Sequence, residues 1–144
     1  MTEDIKPIQE QTVERKETKK LTIWVVDDNE SVSKSIKDVV GFVDGDVMVN
    51  YIGNHDDFFK KINYIKKDDL VFMDGDLGNR MSGVDLVAKS RELGFIFEIV
   101  AFSSSELANE EMIKKGANRS FTKSGGLDGL IKLIEDKIER NSNK

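Results

Sequence analysis

The chain of 144 residues contains no cysteine, and this absence removes several kinds of chemistry. Without thiols there can be no disulfide, no thiolate-bound metal and no cysteine nucleophile. The single histidine, His55, cannot build a multi-histidine zinc site. Any metal that the protein binds must therefore be a hard cation held by oxygen ligands.

Long apolar runs and an excess of positive charge are also missing. No run approaches the roughly 18 apolar residues of a membrane span, and the opening residues, MTEDIKPIQE, lack the apolar stretch of a secretory signal. The 22 Lys and Arg residues are outnumbered by 27 Asp and Glu residues, which disfavours binding to nucleic-acid phosphates. These absences predict a cytoplasmic protein that binds neither a membrane nor nucleic acid directly.

Both ends of the chain are polar. The first 20 residues hold the only proline, Pro7, alternate Glu with Lys or Arg, and offer few apolar groups for burial. The last five residues are also polar. We therefore expect a flexible N-terminal tail over residues 1–20, one folded domain over residues 21–139 and a disordered C-terminus over residues 140–144.

Between these ends, short apolar runs alternate with segments of helical periodicity. The runs predict five strands, at residues 21–26, 47–52, 70–73, 95–102 and 119–122. The intervening segments predict five helices, at residues 31–42, 56–65, 84–93, 106–115 and 127–138. Strands and helices that alternate in this way form a parallel sheet with right-handed crossovers. The sequence therefore predicts an α/β fold with helices on both faces of one sheet.

Polar residues follow four of the five predicted strands. Asp27 and Asp28 follow the first strand, Asp74 the third, Ser103 the fourth and Lys123 the fifth. Because sites in such sheets lie at the carboxyl ends of the strands, these side chains should meet at one edge. Carboxylates about 4 Å apart repel by roughly 4 kcal/mol at an effective dielectric near 20, so the three aspartates call for a divalent cation or for raised pKa values. Mg²⁺ fits best because it takes few carboxylates and leaves positions for phosphate oxygens.

Four motifs along the chain resemble those of receiver domains of two-component response regulators. They are VVDDNE at residues 25–30, VFMDGDLG followed by MSG within residues 71–83, IVAFSSS at residues 99–105 and GANRSFTK at residues 116–123. The resemblance covers nearly the whole predicted domain. It implies a doubly wound, flavodoxin-like (βα)5 fold, in which a five-stranded parallel sheet has the order 2-1-3-4-5.

The resemblance also implies a set of Mg²⁺ ligands. Asp28 would bind the metal directly, and Asp27 would act through a water molecule. Asp74 and the backbone carbonyl of Asp76 would complete the protein ligands. Mg²⁺ is therefore the expected cofactor.

The phosphoryl chemistry follows from the same resemblance. Asp74 would be the phosphoacceptor, Ser103 would hydrogen-bond a phosphoryl oxygen, and Lys123 would pair with the phosphoryl oxygens. The positions fit the chemistry, since transfer from phosphohistidine needs in-line placement and neutralisation of oxygen charge more than a strong nucleophile. The chain would promote only its own phosphorylation and dephosphorylation, and it would not be an enzyme acting on other substrates.

A single-domain response regulator of this kind needs protein partners. The resemblance implies a histidine kinase or a histidine phosphotransfer protein as the phosphoryl donor. It implies a downstream target that binds through helix 4, strand 5 and helix 5, and it allows a phosphorylation-dependent homodimer or a role in a phosphorelay. Because the predicted domain fills the chain, we expect the signal to leave through a partner protein.

At three places the sequence departs from the pattern of receiver domains. Ser124 stands where the family usually has proline, and Ser120 stands where it usually has a switching aromatic residue. Phe121 should point to the opposite face of the strand from Ser120. The loop after Asp74 is one residue longer than usual and has Gly78 where proline is common. These differences predict that the coupling between site and output face differs from the usual one.

Two other functions are compatible with parts of the sequence. VFMDGDLG resembles the first motif of haloacid-dehalogenase-type phosphatases, in which Asp76 would protonate the leaving group. In that family, however, the nucleophile lies on the first strand, whereas here two aspartates precede Asp74. The other alternative is a receiver-like module that binds its partner without phosphorylation. The intact set of Asp28, Asp74 and Lys123 weighs against it, whereas Ser120 and Ser124 leave it open.

Overall fold

Five strands lie side by side in one parallel sheet in the computed structural model, which describes residues 20–78 and 81–143. The strands are β1 (Lys20–Val26), β2 (Asp46–Ile52), β3 (Leu70–Met73), β4 (Glu98–Ala101) and β5 (Arg119–Ser120). The helices are α1 (Glu30–Val40), α2 (His55–Lys61), α3 (Gly83–Glu92), α4 (Glu106–Lys115) and α5 (Leu127–Ser142). The strand order is β2-β1-β3-β4-β5, which confirms the predicted flavodoxin-like topology.

Side chains that alternate along the strands fill two apolar layers, one on each face of the sheet. Ile23 and Val25 of β1 belong to the layer that α1 and α5 cover, together with Ile36 and Ile134 of those helices. The opposite layer joins Trp24 and Val26 to residues of α2, α3 and α4. Burial on both faces explains why the strands are continuously apolar. The prediction of helices on both faces is confirmed.

The hydrogen-bond ladder brings the carboxyl ends of the central strands to one level. Val26 is the register partner of both Ile52 and Met73, the last residues of β2 and β3. Beyond the strands, the N–H of Asp27 donates to Ile52 O at 3.0 Å, and the N–H of Asp74 donates to Val26 O at 2.9 Å. The two aspartates are therefore placed side by side by the backbone itself.

Strand β4 is shorter than the sequence predicts. The prediction covers residues 95–102, but the strand begins at Glu98 and ends at Ala101. The N–H of Phe95 donates to Ser90 O, and its carbonyl accepts from Arg91 Nη1 at 3.0 Å. Because the N–H and the carbonyl of Phe95 both hydrogen-bond to residues at the end of α3, this part of the apolar run cannot pair with another strand.

Helix α2 is also shorter than predicted. It ends at Lys61 and a single 3-10 turn follows at Ile62–Tyr64, whereas the sequence predicts one helix over residues 56–65. The carboxylate of Asp69 accepts hydrogen bonds from Lys66 N–H and from the indole of Trp24, both at 2.9 Å. These bonds hold the chain after the turn against β1.

The last helix runs further than the sequence predicts. Residues 140–142, predicted to be disordered, belong to α5. Arg140 donates two hydrogen bonds to the carboxylate of Glu98, and Asn141 Nδ2 donates to Asp68 O at 3.0 Å. The predicted tail over residues 1–20 lies outside the described residues except for Lys20, which opens β1. No helix in the described ranges, α5 included, is both long and apolar enough to cross a membrane.

Candidate functional site

Three carboxylates meet at the carboxyl edge of the sheet. One oxygen from each of Asp27, Asp28 and Asp74 lies within 4.8 Å of the other two. Asp27 and Asp74 are almost fully buried, whereas Asp28 is exposed. The ladder at the ends of β1 and β3 fixes the first two residues, and Asp28 follows directly in the chain.

The ammonium of Lys123 lies between two of these carboxylates. Its Nζ is 2.8 Å from Asp27 Oδ2 and donates a hydrogen bond to Asp74 Oδ1 at 3.2 Å. The backbone N–H of Lys123 donates to Ser103 O at 3.3 Å, which ties the loop after β5 to the end of β4. One positive charge faces three negative charges, so the cluster has an excess of negative charge.

The ionisation of nearby groups reflects this excess. Burial raises the pKa of the Asp74 carboxyl and the charge of Asp27 raises it further, while Lys123 and the backbone of Asp76 act in the opposite direction. Burial alone would lower the pKa of Lys123, but Asp27 and then Asp74 outweigh it and raise that pKa. Burial, followed by the neighbouring acids, raises the pKa of the Tyr51 phenol. The site therefore favours any added positive charge.

The donor set fits a hard divalent cation such as Mg²⁺. All three clustered side chains offer carboxylate oxygens, which are the ligands that this metal prefers. Asp27 Oδ1 accepts a hydrogen bond from Asn29 N–H at 2.9 Å, whereas its buried Oδ2 has no hydrogen bond within the described residues and lies 2.8 Å from the Lys123 ammonium. A cation at the cluster would relieve the repulsion that raises the pKa of Asp74.

Asp76 is placed differently from the other predicted ligands. Its side chain is exposed, and its Oδ1 accepts a hydrogen bond from Gly78 N–H at 2.9 Å. Among the described residues, the clustered carboxylates do not include that of Asp76. The side chain therefore shapes the loop after Asp74, and the predicted ligand from this residue is its backbone carbonyl.

Ser103 lies next to the chain that leaves Asp74. Ser103 is buried, and its Oγ accepts a hydrogen bond from Ser105 N–H at 3.1 Å. A Cβ placed on Gly75 would be 3.3 Å from this Oγ. The hydroxyl is thus adjacent to the residue that follows Asp74. The structure brings the predicted side chains of strands β1, β3, β4 and β5 to one edge.

The sequence pattern assigns no individual role to two residues that position this site. Gly83 opens α3 so close to Asp74 that a Cβ on it would be 1.7 Å from the Asp74 carbonyl oxygen. Asn109 of α4 is buried and exchanges two hydrogen bonds with the backbone of Ser103. The sequence does contain a sign of this role. Asn109 is a polar residue three positions before Met112, and this spacing places both on the inward face of α4.

Ser120, the last residue of β5, and Phe121, which follows it, point to opposite faces of the sheet. Ser120 is exposed, whereas the ring of Phe121 stacks on Phe102 with 6.3 Å between centroids. Phe121 and Lys123 also line an apolar cavity of about 480 Å³ between α1 and α5. The opposite orientation agrees with the sequence, and it places the aromatic ring on the side of α1 and α5.

Comparisons with known proteins agree with this fold. A Francisella response regulator receiver domain superposes with a TM-score of 0.69 at 19% identity, and one from Pseudoalteromonas atlantica with 0.71 at 15%. A response regulator from Thermotoga maritima gives 0.67 at 24%. Each alignment covers 83% of this chain and 98% of the other. No protein-family model and no curated protein matches the sequence. The chain therefore has the fold of response-regulator receiver domains.

Proposed function

We propose that the chain is a receiver domain that accepts a phosphoryl group on Asp74 in a Mg²⁺-dependent reaction. The observation that carries this proposal is the position of Lys123, whose ammonium contacts both Asp27 and Asp74 beside a third carboxylate. A pocket with one fixed cation and surplus carboxylates suits a metal and a phosphoryl group together. The likeness in fold to receiver domains gives independent support.

The donor would be a phosphohistidine of a histidine kinase or of a histidine phosphotransfer protein. An Asp74 carboxylate oxygen forms a bond to phosphorus as the phosphorus–nitrogen bond breaks, and the electron pair leaves with the imidazole nitrogen. Lys123 pairs with the phosphoryl oxygens, and the hydroxyl of Ser103 donates to one of them. When bound by Asp28, Asp74, the Asp76 carbonyl and, through water, Asp27, Mg²⁺ supplies positive charge against those oxygens.

The product is an acyl phosphate, and its hydrolysis ends the signal. Water attacks phosphorus, the bond to the Asp74 oxygen breaks, and inorganic phosphate leaves with the carboxylate restored. In both steps the chain acts only on itself, so it works as a signalling domain and not as an enzyme with a separate substrate. We propose that it does so in the cytoplasm.

The phosphorylated state would bind a downstream protein through α4, β5 and α5, and it would also support a homodimer or a phosphorelay step. Phosphorylation shifts a pre-existing equilibrium only as far as its contacts differ between the two states. Exposed Ser120 offers no aromatic ring for that shift, which also favours the alternative of a module that binds without phosphorylation.

The test is direct labelling of the purified chain. The protein is incubated with acetyl phosphate, with or without Mg²⁺, and its intact mass is recorded beside that of Asp74→Asn. We expect one phosphoryl adduct in the wild type with Mg²⁺, and none in the variant or without the metal. Asp76→Asn is the matched control, because it removes an adjacent carboxylate outside the cluster.

Failure to label can be resolved in the same tube. Release of inorganic phosphate without an adduct, lost in Asp74→Asn, means rapid hydrolysis of the acyl phosphate and keeps the proposal. No adduct and no release means a phosphorylation-independent module. Repeated turnover of p-nitrophenyl phosphate would instead support a phosphatase.

A further inference from the structure

We propose that Asn109 is a positioning residue for this phosphoryl chemistry. Its side-chain amide holds the backbone of Ser103, and so it aims the Ser103 hydroxyl at the phosphoryl group on Asp74. The inference rests on the function proposed above, and it adds a residue from outside the carboxylate cluster.

The amide of Asn109 makes a closed pair of hydrogen bonds with a single residue. Ser103 N–H donates to Asn109 Oδ1 at 3.0 Å, and Asn109 Nδ2 donates to Ser103 O at 3.1 Å. Both bonds are buried, and Asn109 is only 3% exposed. Two bonds of opposite direction fix both the position and the tilt of the Ser103 backbone.

Ser103 needs such a partner because the sheet has ended. Strand β4 stops at Ala101, and Phe102 N–H makes a last ladder bond to Met73 O at 2.8 Å. Ser103 is the next residue, and its N–H goes to the Asn109 side chain. Its carbonyl also accepts from Lys123 N–H at 3.3 Å. Asn109 therefore provides hydrogen-bond partners for the backbone of Ser103 at the point where the strand ladder ends.

The hydroxyl held in this way is ready to donate. Ser103 Oγ already accepts from Ser105 N–H at 3.1 Å, and a hydroxyl has a single proton, which is then available for another acceptor. The same turn of α4 approaches the chain after Asp74, since a Cβ on Gly75 would be 2.7 Å from Ala108 Cβ. Asn109 thus anchors Ser103 to the helical turn that also contacts the phosphoacceptor loop.

The burial of an amide at this place argues for a specific use. An inward helix position next to Met112 would ordinarily take an apolar residue, because a buried amide gains nothing unless both its groups are bonded. Here both groups of the amide hydrogen-bond to Ser103, and the described residues provide no other partner for them. Small errors in the placement of a reacting group lower the rate or the affinity by large factors. A side chain that fixes the Ser103 backbone would therefore keep the Ser103 hydroxyl in place.

The test is a double-mutant cycle on the binding of beryllofluoride, which attaches to an aspartate carboxylate as a phosphoryl analogue. Apparent affinity in the presence of Mg²⁺ is measured by ¹⁹F NMR titration for the wild type, Asn109→Ala, Ser103→Ala and the double variant. We expect each single change to weaken binding about tenfold, the scale of a lost hydrogen bond to a charged group. The double variant should lie within about twofold of Ser103→Ala, because Asn109 acts through that hydroxyl.

Asn118→Ala is the matched control. The side chain of Asn118 accepts a hydrogen bond from Ile99 N–H at 2.8 Å, near the opposite end of β4. Its removal costs a backbone contact of the same kind and a hydrogen bond from Arg91, both far from Ser103, so binding should stay within about twofold of the wild type. Asn109→Asp is the second variant, since it keeps the acceptor for Ser103 N–H but cannot donate to Ser103 O. It should weaken binding at least as much as Asn109→Ala.

The outcomes separate the two proposals. If the wild type binds no beryllofluoride and takes no phosphoryl group, the proposed function fails and this inference fails with it. If the wild type binds but folded Asn109 variants bind equally well, only the role of Asn109 is overturned. If the effects of Asn109→Ala and Ser103→Ala multiply in the double variant, Asn109 does not act through the hydroxyl and the inference is wrong.

Discussion

Asp74 lies in an environment that favours its neutral form. Because its pKa is raised by burial and by Asp27, the charged carboxylate destabilises the fold once the pH exceeds that pKa. The corresponding stability is present at lower pH, where the carboxyl is protonated. We therefore expect Asp74→Asn, without divalent metal at neutral pH, to increase the free energy of unfolding, because the change removes a buried charge that the fold disfavours. Urea unfolding in EDTA measures this change.

Divalent metal should reverse that order. Binding to the folded state stabilises the wild type by about 1.4 kcal/mol at ten times the dissociation constant. Asp74→Asn lacks one of the clustered carboxylates and should gain less, whereas Asp76→Asn should gain as much as the wild type. A loss of stability in Asp74→Asn even without metal would show that the Lys123 pair outweighs the repulsion.

Gly83 is required by close approach and not by a special backbone angle. A Cβ there would be 1.7 Å from the backbone oxygen of Asp74, which leaves no room for any side chain. We expect Gly83→Ala to destabilise the protein by about 3 kcal/mol or more, because the start of α3 must move away. Thermal unfolding checks the change.

Gly94→Ala provides the comparison for Gly83. Gly94 has a φ of +91° but open space around the missing Cβ, so only conformational strain of about 1 kcal/mol applies. Equal losses for both variants would show that close packing against Asp74 is unimportant.

At the scale of elements, Arg91 joins three segments that the sheet alone does not hold. Its guanidinium donates to Gly116 O, Phe95 O and Asn118 Oδ1, all within 3.0 Å. These bonds connect the end of α3 to the approach to β4 and to the end of α4.

Arg91→Ala should lower the free energy of unfolding by about 2 kcal/mol, and Arg91→Lys should recover little of the loss, because an ammonium cannot replace the planar fork. Chemical denaturation measures both variants. Lys89→Ala is the control, since its pair with Glu92 is exposed and should contribute under about 0.5 kcal/mol. Full recovery by lysine would reduce the role of Arg91 to its charge.

The order and type of the elements follow from local pattern, but several element ends do not. Strand β3 lies where the apolar run of residues 70–73 predicts it, since both of its faces are buried. The predicted start of β4 fails because the peptide groups of Phe95 bond to Ser90 and Arg91 instead of another strand. The residue at which β4 begins depends on contacts with α3, and the apolar run alone does not predict those contacts.

The candidate site was predictable to the extent that it lies at strand ends. Asp27 and Asp74 come together because parallel strands place their carboxyl ends at one edge, which the alternation of strands and helices already implies. The sequence marks Gly83 within a motif and Asn109 as a polar residue on an inward helix face, but it does not assign their roles, because these depend on the distance between α3 or α4 and a loop. The side chain of Asp76 accepts a hydrogen bond from Gly78 within its own turn, and the spacing of residues along the chain does not predict this bond.

At the scale of the whole molecule, the two edges of the sheet have opposite charge balance. The carboxyl edge places one ammonium among three carboxylates. Near the amino edge, the buried carboxylate of Glu98 contacts Arg119 Nε at 2.7 Å, Lys137 Nζ at 3.2 Å and Arg140 Nη2 at 2.8 Å. This second cluster joins β4, β5 and α5 and carries a surplus of cations. It satisfies its carboxylate internally, whereas the first cluster leaves negative charge for a ligand.

Glu98 should therefore control the stability of the whole domain in acid. Burial alone would raise the pKa of Glu98, but Lys137, Arg140 and Arg119 outweigh it and hold that pKa below its usual 4.5. An acid whose pKa is lowered by folding contributes stability above its unfolded value, and this stability disappears as the pH falls through the lowered pKa. Glu98→Gln should consequently cost about 3 kcal/mol at pH 7, because it also leaves buried Lys137 without its partner.

The pH profile distinguishes this electrostatic effect from a packing defect. Urea unfolding of the wild type and of Glu98→Gln should give curves that stay apart above pH 4.5 and converge below it, since protonated glutamic acid resembles glutamine. Glu92→Gln, which alters an exposed pair with Lys89, should follow the wild type at every pH. A constant gap between wild type and Glu98→Gln down to the lowest pH would mean that the shape of Glu98, and not its charge, ties α5 to the sheet.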